Sequence, residues 1–321
     1  MVVNATGGFG DASITGTASQ YEGQFTAGLA FANNTTYAAT DAWVCERAIM
    51  DGAMTNVKCL YMNMAWTFPT LTDGLVAQLT TFLNTTGKCM FICGQDIGWE
   101  TMDAASTYDT PNTQAFYTNY LNATYVNDGP TTAQTINAIT TDAIFGTLGA
   151  NPSTVATYPT FYFPDRVNAT GTGVPIFRYG TVTTSSAGVR AFNTNYKVVY
   201  LCIGIEQFTN TTSKNNILKT SHDWFWGLST VEQFDENMAA SLGLAYPNPT
   251  NDISFIPVSN IDKDMTIQVC DVTGRVVLEQ AVAEGTTLIQ INTAELNAGM
   301  YLYRLVDGNA VIKAKQLQVI H

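Results

Sequence analysis

Three runs, VKCLYMNMAW (57–66), KCMFICG (88–94) and KVVYLCIGIE (197–206), are apolar almost without interruption. A strand exposed on one face alternates apolar and polar residues, so unbroken apolar runs require a sheet covered on both faces. Between the first two lies DGLVAQLTTFLNTTG (73–87), an amphipathic helical pattern with Gly87 near its end. Strand, helix and strand in that order predict a right-handed parallel crossover. Further helices are expected at TQAFYTNYL (113–121) and NNILKTSHDWFWGL (215–228). The first 230 residues therefore read as an α/β three-layer domain with a mostly parallel sheet. The β-rich stretch ATYPTFYFPDRV to GVPIFRYGTVTTSSAGVRAF reads as short antiparallel strands or a loop-rich insertion. Polar residues 231–244 read as a linker.

From residue 245 to 321 the period changes. ISFIPV, MTIQVCDV, RVVLEQAV, TTLIQIN, GMYLYRLVDG and VIKAKQLQVI are short strands at regular spacing, separated by turn residues. That pattern predicts an immunoglobulin-like β-sandwich.

Charged residues are only 12% of the chain, about half the usual share, and roughly one residue in seven is Thr. Such a surface suits secreted proteins. A net charge of −12 excludes nucleic acid as a partner, because phosphate neutralisation needs clustered Lys and Arg. No run approaches the roughly 18 apolar residues of a membrane span. The opening MVVNATGGFG is not a signal peptide, so export implies a leader already removed. Seven Asn-x-Thr triplets, beginning at Asn4, Asn33, Asn34, Asn84, Asn122, Asn168 and Asn210, permit glycosylation.

Cys59, Cys89, Cys93, Cys202 and Cys270 lie in apolar runs and read as small hydrophobes, with Cys45 the sixth. Cys89 and Cys93 would stand about 13 Å apart on one strand, too far to bridge. A cross-strand bridge from Cys59 to one of them stays open. No Cys or His spacing suggests zinc, and no cofactor is expected. Asp96, Glu100 and Asp103 offer oxygen ligands for calcium but lack the alternating acidic loop.

The stretch YPNPTND (246–252), then IQVCDVTGRVV (267–277), then INTAELNAGMYLYRLVDGNAVIKAKQLQVI (291–320) resembles the type A C-terminal sorting domain of the type IX secretion system of Bacteroidetes. Pro247, Asn248 and Pro249 match its opening, and Asp271, Gly274 and Arg275 its Asp-x-x-Gly-Arg hairpin. Gly299 and Tyr301 match Ala-Gly-x-Tyr, and Lys315 the terminal basic residue. The resemblance implies export to the outer-membrane surface or beyond, with the type IX machinery as partner.

The first domain resembles the glutamine-amidotransferase-like, flavodoxin-related α/β domains, over LTDGLVAQLTTFLNTTGKCMFICGQDIGWE (71–100), AFYTNYLNATYVND (115–128) and KVVYLCIGIEQF (197–208). Active members of that family use a Cys, His, Glu triad with the Cys on a tight elbow flanked by small residues. Around Cys93 the flanking positions are Phe91 and Gln95, and His222 sits among Trp224, Phe225 and Trp226, as a helix-packing residue would. No catalytic residue is assigned on this basis.

Ligands of open α/β sheets bind beyond the carboxyl ends of the strands. There the sequence places Trp66, Gln95, Asp96, Trp99 and Glu206, a set suited to a sugar. The expected function is thus a secreted, non-catalytic structural or adhesive protein, partnered by copies of itself or by surface polysaccharide and able to form filaments. The rival is a secreted hydrolase, a peptidase or carbohydrate-active enzyme, acting through Glu206 and Asp96 or through Cys93, or a sugar-binding module on the same rim.

Overall fold

The computed structural model describes residues 1–6, 16–34, 37–158, 160–228, 240–259, 261, 263–308 and 310–320. The chain divides into two compact units, Met1–Val231 and Glu232–His321.

In chain order the first unit contains β1 (Val2–Asn4), α1 (Ala18–Phe31), β2 (Ala39–Asp41), α2 (Ala42–Met50), β3 (Cys59–Asn63), α3 (Asp73–Leu83), β4 (Lys88–Cys93), α4 (Ile97–Met102) and α5 (Pro111–Asn119). There follow β5 (Ala123–Asp128), β6 (Ile136–Ala138), β7 (Ala150–Asn151), β8 (Asp165–Ala169), β9 (Val174–Tyr179), β10 (Gly188–Phe192), β11 (Tyr196–Leu201) and α6 (Thr211–Trp226). Threonine and asparagine side chains start the helices: Thr17 caps α1, Thr72 caps α3 and Asn210 caps α6, each accepting a backbone N–H that the helix leaves unpaired.

Among the described residues nine strands form one sheet in the order β2-β1-β3-β4-β11-β10-β9-β6-β7. The pairs from β2 through β11 are parallel, and those from β11 to β7 are antiparallel. The sheet is therefore mixed, where the sequence predicts a mostly parallel one. Connection length is the reason: only residues 193–195 join β10 to β11, and so short a link permits only an antiparallel pair. β5 and β8 form a separate two-stranded ribbon.

Both sheet faces are apolar because both are covered. Leu60, Met62, Met90, Ile92 and Val198 share a buried cluster with Leu75, Leu79 and Phe82 of α3 and Phe116 of α5. On the opposite face Tyr61 and Phe91 meet Phe25 of α1, and Tyr61 meets Phe225 of α6. At Gly28 of α1 an added Cβ would stand 2.5 Å from Leu218 of α6, so glycine sets the close approach of these two helices.

The second unit contains β12 (Ser241–Leu242), β13 (Ile253–Ser259), β14 (Met265–Cys270), β15 (Val276–Val282), β16 (Leu288–Asn292), β17 (Gly299–Asp307) and β18 (Ala310–Val319). Two antiparallel sheets, β12-β13-β16 and β15-β14-β17-β18, make an all-β, sandwich-like region. Ile256, Val258, Ile267, Val269, Ile289, Ile291 and Leu305 are among the residues of its core. Most of the expected linker, residues 231–239, lies outside the described residues. Its far end is not linker: Leu242 is buried and pairs with Val258, which makes it part of the sheet.

Sorting-motif side chains hold turns and edges here. The Asn248 amide donates to the Gln316 carbonyl (3.1 Å) and accepts from Gln318 N–H (2.8 Å), fastening residues 247–249 to β18. Asp271 accepts from the Thr273 hydroxyl, which most of all holds its carboxyl down at about 2, and from the N–H groups of Thr273 and Arg275 and the Arg275 guanidinium, while Gly274 takes φ 87°. Tyr301 donates to the Asn297 carbonyl, Gly299 opens β17, and Lys315 pairs in register with Tyr303.

Candidate functional site

β3 and β4 leave the sheet side by side. Met64 N–H donates to Cys93 O and Gln95 N–H to Ala65 O, each at 2.8 Å, so the ladder continues past both strand ends. The chain then turns sharply at Asp96, whose φ of 56° is left-handed, and enters α4. Only small neighbours allow this. An added Cβ at Gly94 would lie 2.9 Å from Ile97 Cδ1, and one at Gly98 would lie 2.6 Å from the Tyr117 hydroxyl. Gly94-Gln95-Asp96-Ile97-Gly98 is thus a strand–turn–helix elbow with small residues two before and two after its apex, the shape that in hydrolases presents a nucleophile. Its apex is an acid.

Below the elbow, Asp165 of β8 accepts from Gly98 N–H (2.7 Å) and Trp99 N–H (3.3 Å). Burial, followed by the charge of Asp96, pushes the Asp165 carboxyl well above its ordinary range. Glu100 accepts from Thr70 N–H at 2.7 Å and from Leu71 N–H, which fixes the loop carrying Phe68; burial pushes its carboxyl up to about 7. Two glutamines fix the opposite wall. Gln95 Oε1 accepts from Phe163 N–H (2.6 Å), and Gln207 accepts from Ala156 N–H while donating to the Phe161 carbonyl.

These anchors frame a cavity of about 330 Å³ walled by Trp66, Phe68, Trp99, Tyr108 and Phe163, with the carboxyls of Asp96 and Asp128 on its lining. Trp66 stacks on Phe163 (centroids 5.0 Å apart, 26°) and Phe68 stacks on Tyr108 (5.6 Å, 26°). Phe68 meets Trp99 edge-on at 6.0 Å. Trp66 Nε1 donates to Asp96 Oδ2 at 2.6 Å, and the Tyr125 hydroxyl donates to Asp128 Oδ1 at 2.6 Å. Asp96 is only 9% exposed, and burial, with a smaller contribution from the charge of Asp128, pushes its carboxyl up to about 7. The Trp66 hydrogen bond acts against that rise.

The residues predicted from sequence thus separate into two groups. Trp66, Asp96 and Trp99 meet on the cavity. Gln95 lies beneath it as a strut. Glu206 is buried in a 3-10 turn, Ile205–Gln207, where Oε2 accepts from Asn63 Nδ2 at 2.7 Å; its carboxyl is pushed up to about 7 by burial, and it does not line the cavity. β11 ends at Leu201, not at Glu206, which is why the side chain turns inward. Cys93 is fully buried inside β4, its thiol donating to Met62 O at 3.6 Å and pushed well above its ordinary range by burial. His222 stacks on Trp226 and approaches Asn34 and Asp223, away from the cavity lining.

The calcium set does not converge, since Glu100 faces the N–H groups of Thr70 and Leu71, and among the described residues no three acids, cysteines or histidines group as a metal would need. All six cysteines are free and buried, including the register pair Cys59 and Cys89. Phe68, Tyr108, Asp128 and Phe163 were not anticipated. The aromatic run FYF at 161–163, set between Thr160 and Pro164 and outside any strand, was the available signal.

No helix among the described residues is long and apolar enough to cross a membrane. No curated protein matches the chain in sequence. Among solved structures it is similar to the exo-beta-1,4-mannosidase Op5Man5 from Opitutaceae bacterium strain TAV5, at 10% identity and TM-score 0.42, over 73% of this chain and 36% of that one. It is also similar to the cytoplasmic protein STM1381 from Salmonella typhimurium LT2, at 6% identity and TM-score 0.46, over 72% and 99% of the two chains. A third is a DUF3244 family protein with an immunoglobulin-like β-sandwich fold from Bacteroides vulgatus, at 28% identity and TM-score 0.16, over 17% of this chain and 62% of that one. All three scores fall below 0.5, and nothing among these matches supports a glutamine-amidotransferase-like first unit. Residues 244–319 match the family described as secretion system C-terminal sorting domain, and that domain marks the chain as a type IX secreted protein bound for the cell surface or the extracellular space.

Proposed function

We propose that this is an adhesive surface protein, exported by the type IX machinery, whose first unit binds glycan in the aromatic cavity at the Asp96 elbow. The observation that carries the reading is the wall of Trp66, Phe68, Trp99, Tyr108 and Phe163 closing on two carboxyl groups. Aromatic faces stack on the C–H face of a sugar, and fixed carboxyl oxygens accept from its hydroxyls. With an acid at the apex of the elbow and, among the described residues, no histidine on the cavity lining, the site supports recognition rather than acyl transfer. The parallel order β2-β1-β3-β4-β11 supports reading this unit as a flavodoxin-like frame related to the amidotransferase-like domains.

The test is tryptophan fluorescence of the full chain titrated with a panel of neutral, amino and acidic polysaccharides. Binding should quench the signal, and Trp66→Ala should weaken it about tenfold, the worth of one stacked ring. A panel with no quenching by any member would sink the reading. Self-association is a second reading, supported by the 12% charge content, since weak self-repulsion permits close lateral packing. Sedimentation at rising concentration tests it, and a monomer throughout would end it.

A further inference from the structure

We propose that the glycan taken by this cavity is an amino sugar with a free, protonated amine, its ammonium seated between Asp96 and Asp128 against the aromatic wall. The inference rests on the glycan-binding reading and names the chemistry of the ligand.

Asp96 is about nine-tenths buried, yet only Oδ2 is hydrogen-bonded, to Trp66; Oδ1 has no partner among the described residues. Asp128 brings a second carboxyl to the same lining. Among the described residues no lysine, arginine or histidine lines the cavity. Burial raises the Asp96 carboxyl, and the charge of Asp128, at the exposed side of the lining, adds a smaller push in the same direction.

An ammonium group removes that penalty. It carries three donors, to offer to Asp96 Oδ1 and to Asp128, and a positive charge of the kind that ring faces attract when desolvated. A neutral hydroxyl would satisfy one oxygen and leave the repulsion in place. An acetylated amine has lost both its charge and two of its donors. A uronic acid would add a third negative group.

The experiment is calorimetric titration of the full chain with a glucosamine hexamer and with the N-acetylglucosamine hexamer, at a pH where the free amine is protonated. The glucosamine hexamer is expected to bind at least about tenfold more tightly. Asp96→Asn is expected to bring the two affinities together, and because asparagine tolerates left-handed backbone the variant should keep its fold. Asp128→Asn should narrow the gap in the same direction.

Equal or tighter binding of the acetylated hexamer overturns the inference and leaves the glycan reading standing. So does a preference for the amine that survives both substitutions, or binding of a neutral polysaccharide with neither hexamer bound. Failure of the hexamers and of every polysaccharide in the panel overturns both.

Discussion

Asp96 shows what a single residue is asked to do here. Left-handed backbone costs most residues roughly 1–2 kcal/mol, and Asp and Asn bear it best. Asp96→Ala should therefore lower stability by about 1 kcal/mol in urea denaturation, while Asp96→Asn stays near neutral. Gly98→Ala should be worse, at about 1–3 kcal/mol, because its methyl would meet the Tyr117 hydroxyl and Asp165. The buried acids make a second, pH-dependent demand. Asp96, Glu100 and Glu206 are each raised to about 7, against about 4 in an unfolded chain. Between those values the folded protein holds protons that the unfolded chain has released. Their contribution is therefore fully present below pH ~4 and is lost as the pH rises through about 7. Thermal unfolding of the first unit should show a lower midpoint at pH ~8 than at pH ~5, and Glu206→Gln should flatten the slope. A midpoint that climbs over that range would contradict the assignment.

At the scale of elements, the sheet frames the cavity while loops supply most of its walls. Gln95, at the end of β4, and Gln207, beyond β11, both grip the backbone around Phe161 and Phe163. Gln207→Ala should loosen that wall: faster hydrogen exchange at Phe163 and several-fold weaker glycan quenching, with the helices unchanged by circular dichroism. Much of this frame was legible in the sequence. The runs at 57–66, 88–94 and 197–206 hold β3, β4 and β11 because both sheet faces are apolar, a pattern that survives without any tertiary information. α1 was missed, since its buried side is only Tyr21, Phe25, Gly28 and Leu29, broken by glycine and polar residues. The elbow was sought three residues too early, at Cys93. Periodicity reports burial, and it is blind to the one dihedral that turns the chain at Asp96. Glu206 was misplaced for a related reason: apolar residues 202–205 extend the run past the end of the strand.

For the whole molecule, the sorting domain carries the address. Deleting residues 244–319 should leave the protein inside the cell envelope, with cell fractionation showing it lost from the surface and the medium, because the sorting domain is the part that addresses the export machinery. The β-sandwich was the easier half to read: alternation such as that of β14 and β16 marks the buried side directly. The cavity of the first unit was harder, because its aromatic members come from four separate stretches whose meeting no local pattern announces.

Asp165 gives the elbow a further meaning. A turn that presents a nucleophile is useful to a hydrolase because the amide hydrogens at the start of the following helix stay open to the negative charge of a tetrahedral intermediate. Here two of those hydrogens, on Gly98 and Trp99, already belong to a buried carboxyl of the protein itself. Placing a thiol at position 96 would restore the look of a catalytic turn without restoring its electrostatics, so the route from this scaffold to an acyl-transfer enzyme passes first through the removal of Asp165.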